Sequence, residues 1–268
     1  MTVTKEPLRR DADRLLVIAG PCLAESRDVL LRVADHLVKI CAKLPVQLVF
    51  KASYRKANRT SVEGFQGVGD DVALGWMAEV KRDFGVPLLT DIHADAEAAM
   101  AAEVVDVLQI PAFLSRQTSL IEAAARTGCV VNIKKAQFMA PDDMAKAAAK
   151  AERAGASEIW LTERGTSFGY HDLVVDYRGL VIMKATGLPV IFDATHSVQQ
   201  PSIGATSGGK REFIPYLASA AMAVGVDGLF FETHPDPSSA ASDRETQVPL
   251  TDAETLLHRC LKIREALR

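Results

Sequence analysis

Long apolar runs are missing from this chain of 268 residues. The stretch from Leu15 to Ala19 is typical of its longest, far below the roughly 20 residues that a membrane-spanning helix needs, so no helical membrane protein is expected. A basic excess is missing too: 31 Lys and Arg against 34 Asp and Glu leave a formal charge of −3, which argues against a surface built for nucleic acid. Cysteine is sparse and scattered. Cys22, Cys41, Cys129 and Cys260 form no C-x-x-C pair, which suits reduced thiols and not a disulfide framework. The first 14 residues mix charges of both signs and lack the apolar core and small-residue cleavage site of a secretory signal, so a cytoplasmic location is expected. What is present is enough to fold. At 48% hydrophobic and 24% charged the chain can bury a sizeable core, and disorder is excluded as its main state.

Eight short runs rich in Val, Ile and Leu recur near residues 15–20, 47–53, 87–92, 107–112, 130–135, 158–163, 189–195 and 228–233. Runs of this kind are the mark of strands buried on both faces of a parallel sheet. Between them lie Ala-rich or amphipathic segments, among them 94–104, 142–154 and 211–224, suited to an outer layer of helices. Eight strand-helix units in about 250 residues match the size of a (β/α)8 TIM barrel. The expectation is a single α/β catalytic domain over 15–268 behind an N-terminal extension of 1–14, with an open doubly wound sheet as the rival fold.

Catalytic groups of such a barrel sit at the C-terminal ends of the strands. There the sequence offers Cys22; Lys51, Ser53, Lys56, Asn58 and Arg59; Asp91 and His93; Gln109 and Arg116; Lys134 and Lys135; Arg164; Asp193 and His196; Glu232 and His234. Desolvated Lys51, Lys134 and Arg164 are costly unless anions meet them, which implies a substrate with several phosphate or carboxylate groups. Strand alternation turns Lys135 away from Lys134, so a structural role is expected for Lys135. One thiol (Cys22), one imidazole (His196) and two carboxylates (Glu232, Asp243) have the character of ligands for a borderline divalent ion, although their spacing forms no compact motif and a buried thiol or a hydrogen-bonded histidine explains each singly. Gly204, Gly209 and Lys210 mimic a phosphate loop, but Arg211 stands where Ser or Thr is required. Asn58-Arg59-Thr60 fits a glycosylation acceptor that a chain without a signal would not expose to the machinery.

Read together, these segments resemble the 3-deoxy-D-manno-octulosonate 8-phosphate synthase family. The resemblance runs from about Leu15 to Leu250 and is carried by Ala19-Gly20-Pro21-Cys22, Lys51-Ala52-Ser53, Lys56-Ala57-Asn58-Arg59, Gln109-Ile110-Pro111-Ala112-Phe113, Asn132 through Lys135, Leu161 through Gly165, Asp193 through Gln199, Ser207-Gly208-Gly209 and Glu232-Thr233-His234-Pro235. It implies a homotetrameric barrel that condenses phosphoenolpyruvate with arabinose 5-phosphate. By matching position, Lys134 and Arg164 would bind the phosphate of phosphoenolpyruvate, with Lys51, Ser53, Lys56 and Gln109 around its carboxylate and C2. Asn58, Arg59 and Thr60 would hold the sugar phosphate, joined by Arg116 from a neighbouring subunit, while Asp91, Pro111, Ala112 and Phe113 line the space between.

Metal-independent members resemble this sequence with Asn at position 22. Cys22 therefore implies the metal-dependent branch, with Cys22, His196, Glu232 and Asp243 holding one divalent ion (Zn, Fe, Mn or Co). Lys56, His196, Asp243 and Cys22 become the catalytic candidates. Arg55 departs from a position that is often acidic and is expected to add a cation near the sugar phosphate. The Ser- and Asp-rich segment from Pro235 to Pro249 is expected to close over bound substrates. Two other functions compete: the related heptulosonate phosphate synthases, whose corresponding loop resembles Lys-Pro-Arg-Thr-Ser and lacks the Ala57-Asn58 insertion, and a non-catalytic sugar-phosphate-binding barrel.

Overall fold

A computed structural model describes residues 8–57, 64–201 and 208–268. Eight parallel strands form its centre: β1 (Leu15–Gly20), β2 (Val46–Lys51), β3 (Leu88–Asp91), β4 (Val107–Ile110), β5 (Val130–Lys134), β6 (Ile159–Glu163), β7 (Val190–Asp193) and β8 (Gly228–His234). Each pairs with the next, and β1 also pairs with β8 in the register Leu16↔Gly228 to Gly20↔Glu232. That last pairing closes the sheet into a (β/α)8 barrel and disposes of the open-sheet alternative.

The helices are α1 (Arg27–Cys41), α2 (Asp70–Phe84), α3 (Glu97–Ala102), α4 (Thr118–Ala125), α5 (Asp143–Arg153), α6 (Arg178–Lys184), α7 (Ile214–Val224) and α8 (Ala253–Ala266). Local sequence explains their limits. Ser26 starts α1 because its hydroxyl accepts the Val29 N–H (3.2 Å), and Leu30, Val33, Ala34 and Leu37 then fall on one buried face. Gly85 ends α2 in the left-handed conformation (φ 62°) that favours glycine. None of the helices among the described residues is long and apolar enough to cross a membrane.

Side chains alternate across a strand, and here the two faces have different chemistry. Leu15, Val17, Phe50, Leu108, Val131, Leu161, Phe192 and Phe231 point outward into the main core beneath the helices. Leu16, Val49, Leu89, Val107, Val130, Trp160, Ile191 and Phe230 point inward and fill the barrel, with Leu8 packed on them from the N-terminal segment. That segment is held by the Arg10 and Asp11 N–H groups donating to Glu158 and Gln47. Higher in the barrel the inward positions turn polar. Asn132 Nδ2 donates to Gln109 Oε1 (3.0 Å) and Thr162 Oγ1 donates to Asn132 Oδ1 (2.7 Å), so this buried layer satisfies itself. Two residues further up each strand, the same alternation brings Lys51, Asp91, Lys134, Arg164, Asp193 and Glu232 to the mouth. At the end of β1 a Cβ on Gly20 would lie 2.0 Å from the Lys51 carbonyl oxygen, so only glycine lets the chain pass β2 and deliver Cys22.

Candidate active site

A cleft of about 470 Å³ occupies the C-terminal mouth. It is lined by Lys51, Ser53, Lys56, Asp91, Gln109, Pro111, Ala112, Phe113, Lys134, Arg164, His196 and Glu232, all expected from the sequence, and by His93, which the sequence placed at a strand end without a role.

The buried cations are partly compensated. Lys51 Nζ donates to Glu232 Oε1 (2.5 Å) and to the Cys22 carbonyl (2.9 Å). Lys134 Nζ meets Asp193 Oδ2 (2.5 Å) and stands 3.8 Å from the centre of the Phe230 ring. Burial lowers the pKa of Lys134 and of Arg164 in spite of the acidic groups near them. Burial alone would lower Lys56 as well, but the surrounding Cys22, Asp91, Glu232 and Asp243 outweigh it and hold the ammonium firmly protonated. Arg164 is 3% exposed; its Nη2 donates to Gln199 Oε1 (3.0 Å), whereas its Nη1 is buried without a partner among the described residues. A buried guanidinium N–H at the wall of a cation-rich cleft is a ready site for an anion.

The four proposed ligands converge from β1, β7, β8 and the segment after β8. Donor atoms of Cys22, Glu232 and Asp243 all lie within 4.8 Å of one another. His196 Nε2 stands 3.9 Å from both Glu232 Oε1 and Asp243 Oδ2, a little outside that cluster. Its other nitrogen, Nδ1, is 2.9 Å from Asp193 Oδ2, which fixes the ring and aims Nε2 at the carboxylates. Asp243 holds a left-handed backbone (φ 50°), a conformation that aspartate tolerates better than most residues.

Burial would push the Glu232 pKa up, but Lys51, His196, Lys56 and Lys134 bring it down to about 2. The Cys22 thiol is pushed well up by burial and by Asp243 and Glu232, and donates to Asp243 Oδ2 (3.0 Å). Glu232 Oε2 is buried and has no partner among the described residues. An orphaned carboxylate oxygen among a thiol, an imidazole and a second carboxylate fits a borderline divalent cation, and disfavours Mg and Ca, which prefer all-oxygen shells.

Other expectations fare differently. Asn58, Arg59 and Thr60 lie outside the described residues, as do Gly204 and Ser207. Arg116 is exposed and does not line the cleft; its carbonyl accepts from Lys150 Nζ (2.9 Å). Lys135 has the structural role expected, donating to Thr166 Oγ1 (2.9 Å) and paired with Glu163 (3.4 Å). Arg55 is no spare cation: it forms ion pairs with Glu97 and with Asp70 (3.1 Å) and lies over the Tyr54 ring.

His93 Nε2 is 3.2 Å from Asp91 Oδ2, and the His93 backbone N–H donates to Glu97 (2.8 Å), which also accepts from the Tyr54 hydroxyl. Burial would lower the His93 pKa, but Asp91 and Glu97 raise it, so the ring carries more positive charge than an ordinary histidine. Two further residues had no role assigned from the sequence. Gln199 bridges Arg164 and Asp243, and Glu25 accepts the Ala241 N–H (2.6 Å) while meeting His234 Nε2 (3.0 Å). The one sequence signal for His93 was its place two residues past Asp91 at a strand end; for Gln199 and Glu25 the partners are remote and no local signal exists.

Comparison with known proteins places this geometry. The DAHP synthetase I family model matches residues 4–268. A 2-dehydro-3-deoxyphosphooctonate aldolase of Cyanothece sp. is 54% identical over 258 residues, 96% of this chain and 94% of its own length. Proteins of the same name from Rhizobium meliloti (54% over 250 residues; 93% and 89%) and Rhodopseudomonas palustris (57% over 245 residues; 91% and 85%) are similar to the same extent. With a closed barrel, a cation-rich mouth and matches that run nearly end to end, the chain belongs to the DAHP synthetase I family.

Proposed function

We propose that this enzyme condenses phosphoenolpyruvate with D-arabinose 5-phosphate and water, giving 3-deoxy-D-manno-octulosonate 8-phosphate and inorganic phosphate, a step towards the lipopolysaccharide sugar Kdo. The observation that carries the reading is the buried set Lys51, Lys134 and Arg164 facing one cleft, with Arg164 Nη1 lacking a partner among the described residues, in a chain more than half identical to proteins named for this reaction.

Lys134 and Arg164 hold the phosphate of phosphoenolpyruvate, while Lys51, Ser53 and Gln109 surround its carboxylate and C2. Asn58, Arg59 and Thr60 hold the sugar phosphate, with Arg116 of a neighbouring copy in a homotetramer, and Asp91 with Pro111, Ala112 and Phe113 separates the two substrates. C3 of phosphoenolpyruvate then forms a bond to the aldehyde carbon, and water adds to C2. Lys56, kept protonated by its acidic surroundings, supplies a proton to the aldehyde oxygen as it becomes a hydroxyl. Asp243, through the carboxylate oxygen it does not give to the ion, takes the proton of the attacking water. The C2–O bond to phosphate breaks last: the new C2 hydroxyl passes its proton to the bridging oxygen, C2 becomes the ketone, hydrogen phosphate departs as a dianion stabilised by Lys134 and Arg164, and the proton taken from water returns to Lys56. Cys22, His196, Glu232 and Asp243 would hold one divalent ion (Zn, Fe, Mn or Co), which supplies Lewis acidity for the water or the sugar carbonyl. We place the enzyme in the cytoplasm.

The family description keeps the seven-carbon alternative with erythrose 4-phosphate in view. Mass analysis of the sugar acid formed from an equal mixture of both aldose phosphates separates the two. The eight-carbon product is expected to dominate; a dominant seven-carbon product would overturn the assignment.

A further inference from the structure

Arg164, at the end of β6, and Asp243, after β8, are joined by one side chain. Gln199 Oε1 accepts from Arg164 Nη2 (3.0 Å), and Gln199 Nε2 donates to Asp243 Oδ1 (2.9 Å). A guanidinium can only donate and an ionised carboxylate can only accept, so a neutral amide of this length satisfies both and its orientation is fixed by its neighbours.

The backbone under Gln199 is fixed as well. Gln199 and Gln200 pair antiparallel with Gly209 and Gly208, and the Lys210 N–H donates to the Val198 carbonyl (3.0 Å). A Cβ on Gly209 would come within 2.1 Å of Thr246 Cγ2, so this ribbon presses directly on the turn that carries Asp243. The two ends of the bridge point to different chemistry. Beyond Arg164 lies its buried, unpartnered Nη1; beyond Asp243 its second oxygen receives the Cys22 thiol (3.0 Å), next to the orphaned Glu232 Oε2.

We propose that Gln199 is a positioning residue that couples anion binding at Arg164 to ion binding at Cys22, His196, Glu232 and Asp243, so that a phosphorylated substrate tightens the ion. The inference rests on the metal reading given above. An anion on Arg164 draws the guanidinium towards it, and Gln199 transmits that shift to Asp243, leaving Oδ2 turned towards the donor set. Coupling of this kind is reciprocal, so the ion tightens phosphoenolpyruvate by the same factor.

The test is a cobalt(II) titration followed by the thiolate-to-cobalt absorption band, with and without phosphoenolpyruvate, on the full chain and on Gln199→Met and Gln199→Asn. Met is neutral and of similar length; Asn keeps the amide but cannot span both partners. Thermal unfolding establishes that each variant is folded. Phosphoenolpyruvate is expected to lower the cobalt dissociation constant of the unaltered protein roughly fivefold or more, and that of either folded variant by less than about twofold. An equal effect in all three proteins would show that the coupling acts through space, and no effect in the unaltered protein would show that it does not exist; either overturns the proposal. Failure of the unaltered protein to bind cobalt would instead remove the metal reading, and this inference with it.

Discussion

Cys22 is a buried thiol whose environment favours the proton it carries: burial and the carboxylates of Asp243 and Glu232 push its pKa well above that of a free cysteine. A metal ligand must be the thiolate, so binding of the ion releases this proton and affinity rises with pH throughout the neutral range. Cobalt affinity is expected to rise about tenfold per pH unit between roughly pH 6 and 8, the slope of a single released proton. A pH-independent affinity would mean that Cys22 is not a ligand. In Cys22→Ala the thiolate band, tight ion binding and turnover are expected to disappear together, and an active variant that binds no ion would contradict the assignment.

Beneath the mouth, Asn132 is wholly buried between Gln109 and Thr162. Asn132→Leu strands both partners and is expected to destabilise the fold by about 1–3 kcal/mol, read from denaturant unfolding. Period-two alternation made part of this legible in advance, because it separates the inward Lys134 from the outward Lys135 with no structure at hand. The bridge of Gln199 and the clasp of Glu25 were not legible, since each depends on partners brought together only by barrel closure. Arg55 was misread for the same reason: its charge is spent on Glu97 and Asp70.

Among the elements, the segment after β8 departs most from expectation. Its composition suggested a lid, yet it is tied down along its length. Glu25 accepts the Ala241 N–H, Arg244 Nε donates to the Ala240 carbonyl, and Gln247 donates to the Ser242 carbonyl while accepting the Cys22 N–H. Ser242, Thr246 and Gln247 are buried, so polarity here satisfies backbone groups instead of facing water. The eight strands, by contrast, were visible as apolar runs because both of their faces are buried over most of the barrel. Glu25→Ala releases the clasp between the loop after β1 and the loop bearing Asp243. It is expected to raise amide hydrogen exchange over 235–249 and to weaken cobalt binding by about ten- to a hundredfold, the scale of a lost hydrogen bond to a charged group (about 1.5–3 kcal/mol). Unchanged exchange would show that the loop is held by its own contacts.

On the scale of the whole molecule, a formal charge of −3 coexists with a mouth where Lys51, Lys56, Lys134 and Arg164 face one cleft. Concentrating buried cations in one place lowers stability until anions arrive, so the free protein carries a cost that substrate relieves. Phosphoenolpyruvate at about 100 times its dissociation constant is expected to stabilise the fold by roughly 2.7 kcal/mol, a rise of several degrees in melting temperature. Arg164→Ala should lose most of that rise. A full rise in the variant would place the phosphate elsewhere.

Phosphate release from phosphoenolpyruvate by the purified protein tests most directly whether this is a metal-dependent octulosonate phosphate synthase. Arabinose 5-phosphate and erythrose 4-phosphate are supplied separately, each before chelation, after chelation and after restoring a divalent ion. Rapid release with arabinose 5-phosphate, lost on chelation and regained with the ion, is the predicted result. Preference for erythrose 4-phosphate, or full activity after the ion has been removed, would contradict it.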